Sequence, residues 1–316
     1  MNEARKPIIV VGSINMDLVA HTREIPVSGQ TVIGTSFDTT PGGKGANQAV
    51  AAARLGASVR MAGCCGDDDF GQTLRSALEE AGVDVSAVRV LPGVPSGLAL
   101  ITVDATGENS ITVAPGANGL AGPPEAAAAT APGPAPGDAL IMSAEIPVPV
   151  LAAALDQARA AGVMTVLNLA PAPADASGLL AAGVVDWLVV NAPEAGAILG
   201  RPVTDPAGAQ AAAADLAGVS AGHVVITLGP DGAVLAGPDA ALAVPGFSVR
   251  SVDSVGAGDA FVAALGVAVA SGSTPPEAVR LACAVAATAV TRPGAQEGLP
   301  TGADVLAATG VPWLLG

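Results

Sequence analysis

The chain has 316 residues, enough for one large α/β domain or two ordinary ones around a sizeable core. Its 13 basic and 28 acidic side chains give a net charge of −15, so no nucleic-acid partner is expected. Hydrophobic residues make up 51%, yet much of that is alanine, and no run of about 18 apolar residues offers a membrane span.

Residues 7–14 (PIIVVGSI) are a near-continuous β-branched run, which predicts a buried strand. The chain enters it from Pro7 without the layout of a signal peptide. Cys64 and Cys65 are adjacent and Cys283 stands alone. That is neither a disulfide framework nor a zinc spacing, and a reducing cytoplasm fits. The strand ends in Asn15-Met16-Asp17. Polar groups at the carboxyl end of a first parallel strand lie where α/β sheets bind ligands, although a polar turn reads the same way. Residues 17–22 and 31–40, with turn signals at Pro26 and Gly29, look like strands of an antiparallel flap outside the main sheet.

Pro41-Gly42-Gly43-Lys44-Gly45-Ala46-Asn47 leads into an Ala-rich helix over 47–55, closed by Gly56. Paired glycines let the backbone approach a ligand closely. This is not a Walker A loop, because Gly45 stands where Ser or Thr would be needed. Together with Asn15 and Asp17 the loop suits a hydroxyl-rich ligand. Residues 58–64 read as a second core strand and 70–81 as a helix ended by Gly82. Residues 98–103 and 110–113 read as further flap strands, and 123–136 as an Ala/Pro-rich surface loop or short helix.

From Asp138 the pattern alternates. Strands are expected at 139–143, 163–168, 187–190 and 224–228, and helices at 148–161, 194–199 and 207–217. That is the rhythm of a doubly wound, mostly parallel sheet flanked by helices. A hairpin is expected around Gly237-Pro238-Asp239, and helices over 261–270 and 276–291 close the fold. Glu145, Asn168, Asn191, Thr227 and Gly229 fall at carboxyl strand ends, with Glu194 and Gly232 three residues beyond Asn191 and Gly229. Any one could be a cap or a turn residue, and Asn191 could cap the Glu194 helix. Their number points to a ligand crevice.

Asp253-Ser254-Val255-Gly256-Ala257-Gly258-Asp259 runs straight into the apolar helix at 261–270. Gly256 and Gly258 bare the backbone, and a helix start offers unpaired N–H groups and a positive dipole end. This is an anion site with a carboxylate, Asp259, at its lip. A base beside an anion hole suits phosphoryl transfer to a hydroxyl. A tight turn with a helix-start acid is the bland alternative.

Three segments then show a resemblance. Val11-Gly12-Ser13-Ile14-Asn15-Met16-Asp17, Gly42-Gly43-Lys44-Gly45-Ala46-Asn47 and the 253–259 run resemble the signatures of the ribokinase branch of the PfkB sugar kinases. Asn191-Ala192-Pro193-Glu194, Thr227-Leu228-Gly229-Pro230-Asp231-Gly232 and Thr291-Arg292-Pro293-Gly294-Ala295-Gln296 fit as well, in the same order. The resemblance implies one α/β domain over 1–316, with a small β-sheet lid formed by about 16–40 and 96–114. It implies ATP-dependent phosphorylation of D-ribose at the 5-hydroxyl. Asp259 would be the base, and the backbone of Gly256, Ala257 and Gly258 the anion hole. Asn15, Met16, Asp17, Gly42, Gly43, Lys44, Gly45, Asn47 and Glu145 would surround the sugar. Asn191, the run from Thr227 through Leu228, Gly229, Pro230 and Asp231 to Gly232, Gly258 and Cys283 would line the ATP site. Glu194 would help place Mg²⁺ through water. A monovalent cation, K⁺, would sit among Asp253, Val255, Ala289, Arg292, Gly294 and position 298. A homodimer through the lid is also implied. Two positions depart from the pattern: Gly298 stands where the family usually has Ser, and Cys283 where many ribokinases have His.

A kinase for a nucleoside, a ketohexose or deoxyribose is the nearest alternative. A nucleoside site calls for aromatic rings to stack a base, and this chain has no Tyr, two Trp and four Phe. A sugar-binding protein without catalysis is a more distant alternative, since a pure binder needs no base at the anion hole.

Overall fold

The computed structural model describes residues 7–130, 138–181, 185–219, 222–238 and 241–315. In chain order these form β1 (Pro7–Val11), β2 (Asn15–His21), β3 (Ser36–Gly42), α1 (Lys44–Arg54), β4 (Ser58–Gly66), α2 (Asp69–Glu80), β5 (Asp84–Leu91), β6 (Gly97–Val103) and β7 (Asn109–Ala114). There follow α3 (Pro123–Ala127), β8 (Ala139–Ser143), α4 (Val148–Ala161), β9 (Met164–Asn168), α5 (Ala176–Ala181), β10 (Trp187–Asn191), α6 (Ala192–Leu199) and α7 (Pro206–Ala217). The chain closes with β11 (His223–Thr227), β12 (Ala233–Ala236), β13 (Ala241–Val244), α8 (Ala257–Ala270), α9 (Pro275–Ala289) and α10 (Gly302–Thr309).

Nine strands form the main sheet in the order β13-β12-β11-β10-β9-β8-β1-β4-β5. From β11 to β5 every pairing is parallel, and β12 and β13 add an antiparallel edge. β8 is buried at every residue, as expected of a strand covered by helices on both faces. One face packs against α1, α8 and α9, the other against α4 and α7. α8 is buried from Asp259 to Ala270, so its apolar surface runs all round. The order of strands reverses at β1, with β4 on one side and β8 on the other. Such a switch point opens a crevice at the carboxyl ends of the strands.

The second sheet has the order β3-β2-β6-β7. It is mixed rather than purely antiparallel, because β2 and β6 run parallel from Asn15↔Gly97 to His21↔Val103. β2 begins four residues after β1 ends, so one stretch of chain serves both sheets. Residues 31–35, expected as strand, precede β3 and are not part of it. Three elements have no counterpart in the sequence reading: β5, α5 and α10. β5 is an edge strand whose buried positions are interrupted by Asp84, Ser86 and Arg89. α10 is a short helix that depends on its Thr301/Asp304 capping box. α1 and α8 both start earlier than their apolar patterns suggest, in the glycine-containing segments Lys44–Asn47 and Ala257–Asp259. The turn expected at Asp239 and the end of the Ala/Pro-rich segment, 131–136, lie outside the described residues.

Candidate active site

The segment after β1 and Glu145, two residues beyond β8, meet at the switch point. Glu145 Oε2 accepts from Ser13 Oγ at 2.6 Å, from the Lys44 amide at 3.2 Å and from Asn15 Nδ2 at 3.5 Å. One carboxylate therefore ties the β1–β2 segment to the start of α1. Asn15 is fixed from its other side, where Asn118 Nδ2 donates to Asn15 Oδ1 at 2.7 Å. Asn118 also bonds both the amide and the carbonyl of Ile14, at 2.9 and 3.0 Å. Asn118 had no motif around it, and only the folded chain brings it here; Ser13 lies within the first motif, which did not single it out.

Asp17 is 8% exposed on β2 and lies against Gly42, its diagonal neighbour on β3. A Cβ at position 42 would overlap the Asp17 carboxylate, so only glycine leaves that group its place. Burial pushes the Asp17 carboxyl up to about 7; the charges of Glu145 and Asp259 push the same way, and Lys44 opposes them. Met16 behaves differently from its neighbours. Side chains alternate along a strand, and Met16 packs into the core with Ile14 and Val50. Its expected place among the sugar contacts has no side chain to support it.

Asp259 is 6% exposed in the first turn of α8. Its Oδ2 accepts from Asn47 Nδ2 at 2.9 Å and its Oδ1 from Gln48 Nε2 at 3.1 Å. Gln48 was missed in the sequence; consecutive amides in an Ala-rich helix were the available signal. Lys44 is held above its ordinary value chiefly by the Asp259 charge, with Glu145, Glu194 and Asp17 adding to it against burial. One ammonium thus sits in the field of four carboxylates. Gly256 caps α8 at φ 77°, and a Cβ there would lie 2.8 Å from the Ala295 carbonyl oxygen. A Cβ on Gly258 would meet nothing within 4 Å, so open space adjoins the helix start.

The remaining expected residues gather along the neighbouring strand ends. Asn191 pairs with Thr227 where β10 and β11 finish. Asn191 caps α6: its Oδ1 accepts from the Glu194 amide and Glu194 Oε2 from the Asn191 amide, each at 2.8 Å. Burial raises the Glu194 carboxyl, and its second oxygen is outside this exchange. Leu228 donates its amide to Gly232 O at 2.8 Å, which closes the Gly229-Pro230-Asp231 turn. Cys283 is buried on α9, and burial pushes its thiol up to about 12.

Asp253 joins two loops. Its Oδ1 accepts from the Val255 amide at 3.0 Å and its Oδ2 from the Gly294 amide at 2.9 Å. Arg292 turns its guanidinium to Asp304, at 3.0 Å. At position 298 a Cβ would lie 2.6 Å from Gly294 O, 3.2 Å from Pro293 O and 3.3 Å from Arg292 O. Three carbonyl oxygens therefore converge beside Gly298. Oxygen donors of this kind suit a hard monovalent cation. Among the described residues no group of three or more His, Cys, Asp or Glu is placed to hold a metal ion.

A parallel sheet with carboxylates and amides at its switch point, and a carboxylate beside an open helix N-terminus, has the build of a sugar kinase. The chain belongs to the pfkB family of carbohydrate kinases, whose model matches residues 5–302. It is 35% identical over 307 residues to the ribokinase of Haemophilus influenzae, covering 96% of this chain and 98% of that one. It is 33% identical over 294 residues to the deoxyribokinase of Salmonella typhimurium, covering 93% and 95%. The structure of Arabidopsis thaliana ribokinase complexed with ribose and ATP superposes with a TM-score of 0.84 at 28% identity, covering 96% of this chain and 98% of that one.

Proposed function

We propose that this sugar kinase transfers the γ-phosphoryl group of ATP to the 5-hydroxyl of D-ribose, giving ribose 5-phosphate and ADP. The observation that carries the reading is Asp259. It is held by two side-chain amides at the mouth of a helix whose first glycine opens onto free space. Asp259 takes the proton of the 5-hydroxyl as the oxygen attacks phosphorus. The amides of Gly256, Ala257 and Gly258 receive the charge on the transferring group, supported by the helix dipole. Asn15, Asp17, Asn47 and Glu145 hold the remaining hydroxyls, each of which both donates and accepts. Gly43 and Gly45, where a Cβ would strike the backbone of residues 12–15, bring the Lys44 segment close against the Asn15–Asp17 strand on the sugar side.

Asn191, Thr227 and the 228–232 turn line the ATP side. Mg²⁺, when bound, neutralises charge on the phosphates, and Glu194 is the group to hold it through water. K⁺, when bound, adds positive charge behind the anion hole, and Asp253 with the carbonyls around Gly298 would hold it.

The chain acts as one domain, and its four-stranded sheet serves as a lid that keeps water from the phosphoryl group. Two copies pair through this lid. Val19, Ile101 and Ile111 stand in adjoining register on one face, and Ile111 is 53% exposed. An apolar row of this kind, half-buried at Val19 and Ile101 and exposed at Ile111, fits an association surface.

The lid also favours ribose over a nucleoside. Its sole aromatic residue, Phe37, is 61% exposed on β3. A base would find no stacking partner there. 2-Deoxyribose is the second reading, favoured by the relative that is a deoxyribokinase.

The test is ADP release measured with D-ribose, 2-deoxyribose, fructose and adenosine in the presence of Mg-ATP and K⁺. A kcat/KM highest for D-ribose is expected. A higher value for 2-deoxyribose replaces the sugar and keeps the chemistry. No turnover with any of the four ends the proposal.

A further inference from the structure

Gln48 has no place in the reaction described so far, yet it is completely buried beside the proposed base. Its Nε2 donates to Asp259 Oδ1 at 3.1 Å and to Asn168 Oδ1 at 3.2 Å. Asn168, at the end of β9, donates its own Nδ2 to the Val189 carbonyl at 3.1 Å. The direction of this relay is fixed from one end. A backbone carbonyl can only accept, so Asn168 must turn its NH₂ to Val189 and its oxygen to Gln48. Gln48 must then present its NH₂ to both neighbours. Asp259 Oδ1 must accept. With Asn47 on Oδ2, each carboxylate oxygen is held by one amide and keeps a lone pair for an incoming hydroxyl.

The relay joins four elements, from β10 through β9 and α1 to the first turn of α8. It has a cost as well. Gln48 Oε1 has no hydrogen-bond partner among the described residues, and a buried unpaired acceptor opposes folding. An apolar side chain would fill the place without that cost. A buried amide retained under those terms is explained by what its NH₂ does for Asp259.

We propose that Gln48 is a positioning residue for the base, fixing the plane of the Asp259 carboxylate through the relay anchored on Asn168 and Val189. This rests on the reading of Asp259 as the base. It predicts a loss in kcat rather than in substrate affinity, because Gln48 stands behind the carboxylate. Misplacing a reacting group by an ångström costs up to about 10²-fold.

The experiment compares Gln48→Met, Asn168→Leu, the double variant and Asp259→Asn in steady-state kinetics, with thermal unfolding of each. Gln48→Met keeps the volume and removes both donated bonds. The expected result is a kcat lower by roughly tenfold to 10²-fold, with sugar and ATP KM close to the parent's. Asn168→Leu should lower kcat in the same direction, and the double variant should lose less than the product of the two single losses. An unchanged kcat in Gln48→Met overturns the proposal, as does a loss confined to KM. Multiplying losses in the double variant overturn the relay. If Gln48→Met does not fold, Asn168→Leu decides alone: kcat equal to the parent's removes the relay. Full activity in Asp259→Asn removes the base reading itself, which separates that failure from a failure of the relay.

Discussion

Asn47 Nδ2 lies 2.9 Å from Asp259 Oδ2, a contact between residues 212 apart in the chain. The two reach each other because α1 and α8 pack on the same face of the sheet with their N-termini toward the switch point. The contact joins the proposed sugar-binding segment to the proposed base. Asp259→Asn should retain both substrates and lower kcat by at least the ~10²-fold typical of losing a general base. Single-turnover measurement with calorimetric binding of ribose and ATP checks this. Loss of binding together with kcat would give Asp259 a different role.

Asp17 predicts a dependence on pH. Its folded value of about 7 lies above the ordinary 3.8, so the folded state holds the proton more tightly than the unfolded chain does. The contribution of Asp17 to stability is therefore present below pH 3.8 and is lost as pH rises toward about 7. Asp17→Asn should flatten that part of the stability profile. The ionised form is the stronger acceptor for the sugar hydroxyls proposed to bind Asp17. The ribose KM of the parent should rise as pH falls below about 7, and Asp17→Asn should abolish that trend. Unfolding midpoints and KM taken across this range check both statements.

Gly258→Ala separates fold from chemistry. A Cβ there meets no protein atom within 4 Å, and alanine in a helix is favoured over glycine by about 1 kcal/mol. The variant should unfold no more readily than the parent. Its methyl group would stand in the space proposed for the transferring phosphoryl, so kcat/KM should fall. Thermal unfolding and turnover on one preparation check this; full activity would show that the space is not used.

Gly298→Ser tests the loop of carbonyls. Serine would supply the side-chain oxygen that the family resemblance implies at this position, but its Cβ would crowd Gly294 O at 2.6 Å. The loop must shift, and the outcome should be weaker K⁺ activation than in the parent. A K⁺ titration of activity and of the unfolding midpoint, with Na⁺ as control, reads it. Stronger activation in the variant would show that the loop gives way easily.

Ile111→Asp should convert the proposed dimer to a monomer, because it places a charge in the paired row Val19↔Ile101↔Ile111. Sedimentation equilibrium of parent and variant checks it. A monomeric parent would remove the dimer proposal.

The sequence carried the large sheet well. Strands such as 139–143 and 224–228 are apolar apart from Ser143 and Thr227, and the glycine-bearing loops at 42–45 and 256–258 announced the helices behind them. The segments 42–47 and 253–259 stood out because glycine, lysine and acid occur there in a fixed local order, and the fold brings Asn47 to Asp259. The relay was not legible. Gln48 bonds Asn168 and Asp259 at separations of 120 and 211 residues, and no local pattern encodes such a contact. Asn118 is similar, since its partners Ile14 and Asn15 lie more than a hundred residues earlier. β5 escaped for another reason: edge strands carry polar residues, and Asp84 and Arg89 break the alternation.

Asn15 and Asp17 are carried by β2, a strand of the small sheet rather than of the nine-stranded one. Ile111 is carried by β7 of the same sheet. The residues proposed for sugar choice and for subunit pairing are therefore carried on a single module. On that proposal, a chimera that borrows this sheet from a relative should alter sugar preference and assembly state together, and leave the nucleotide half of the enzyme as it was.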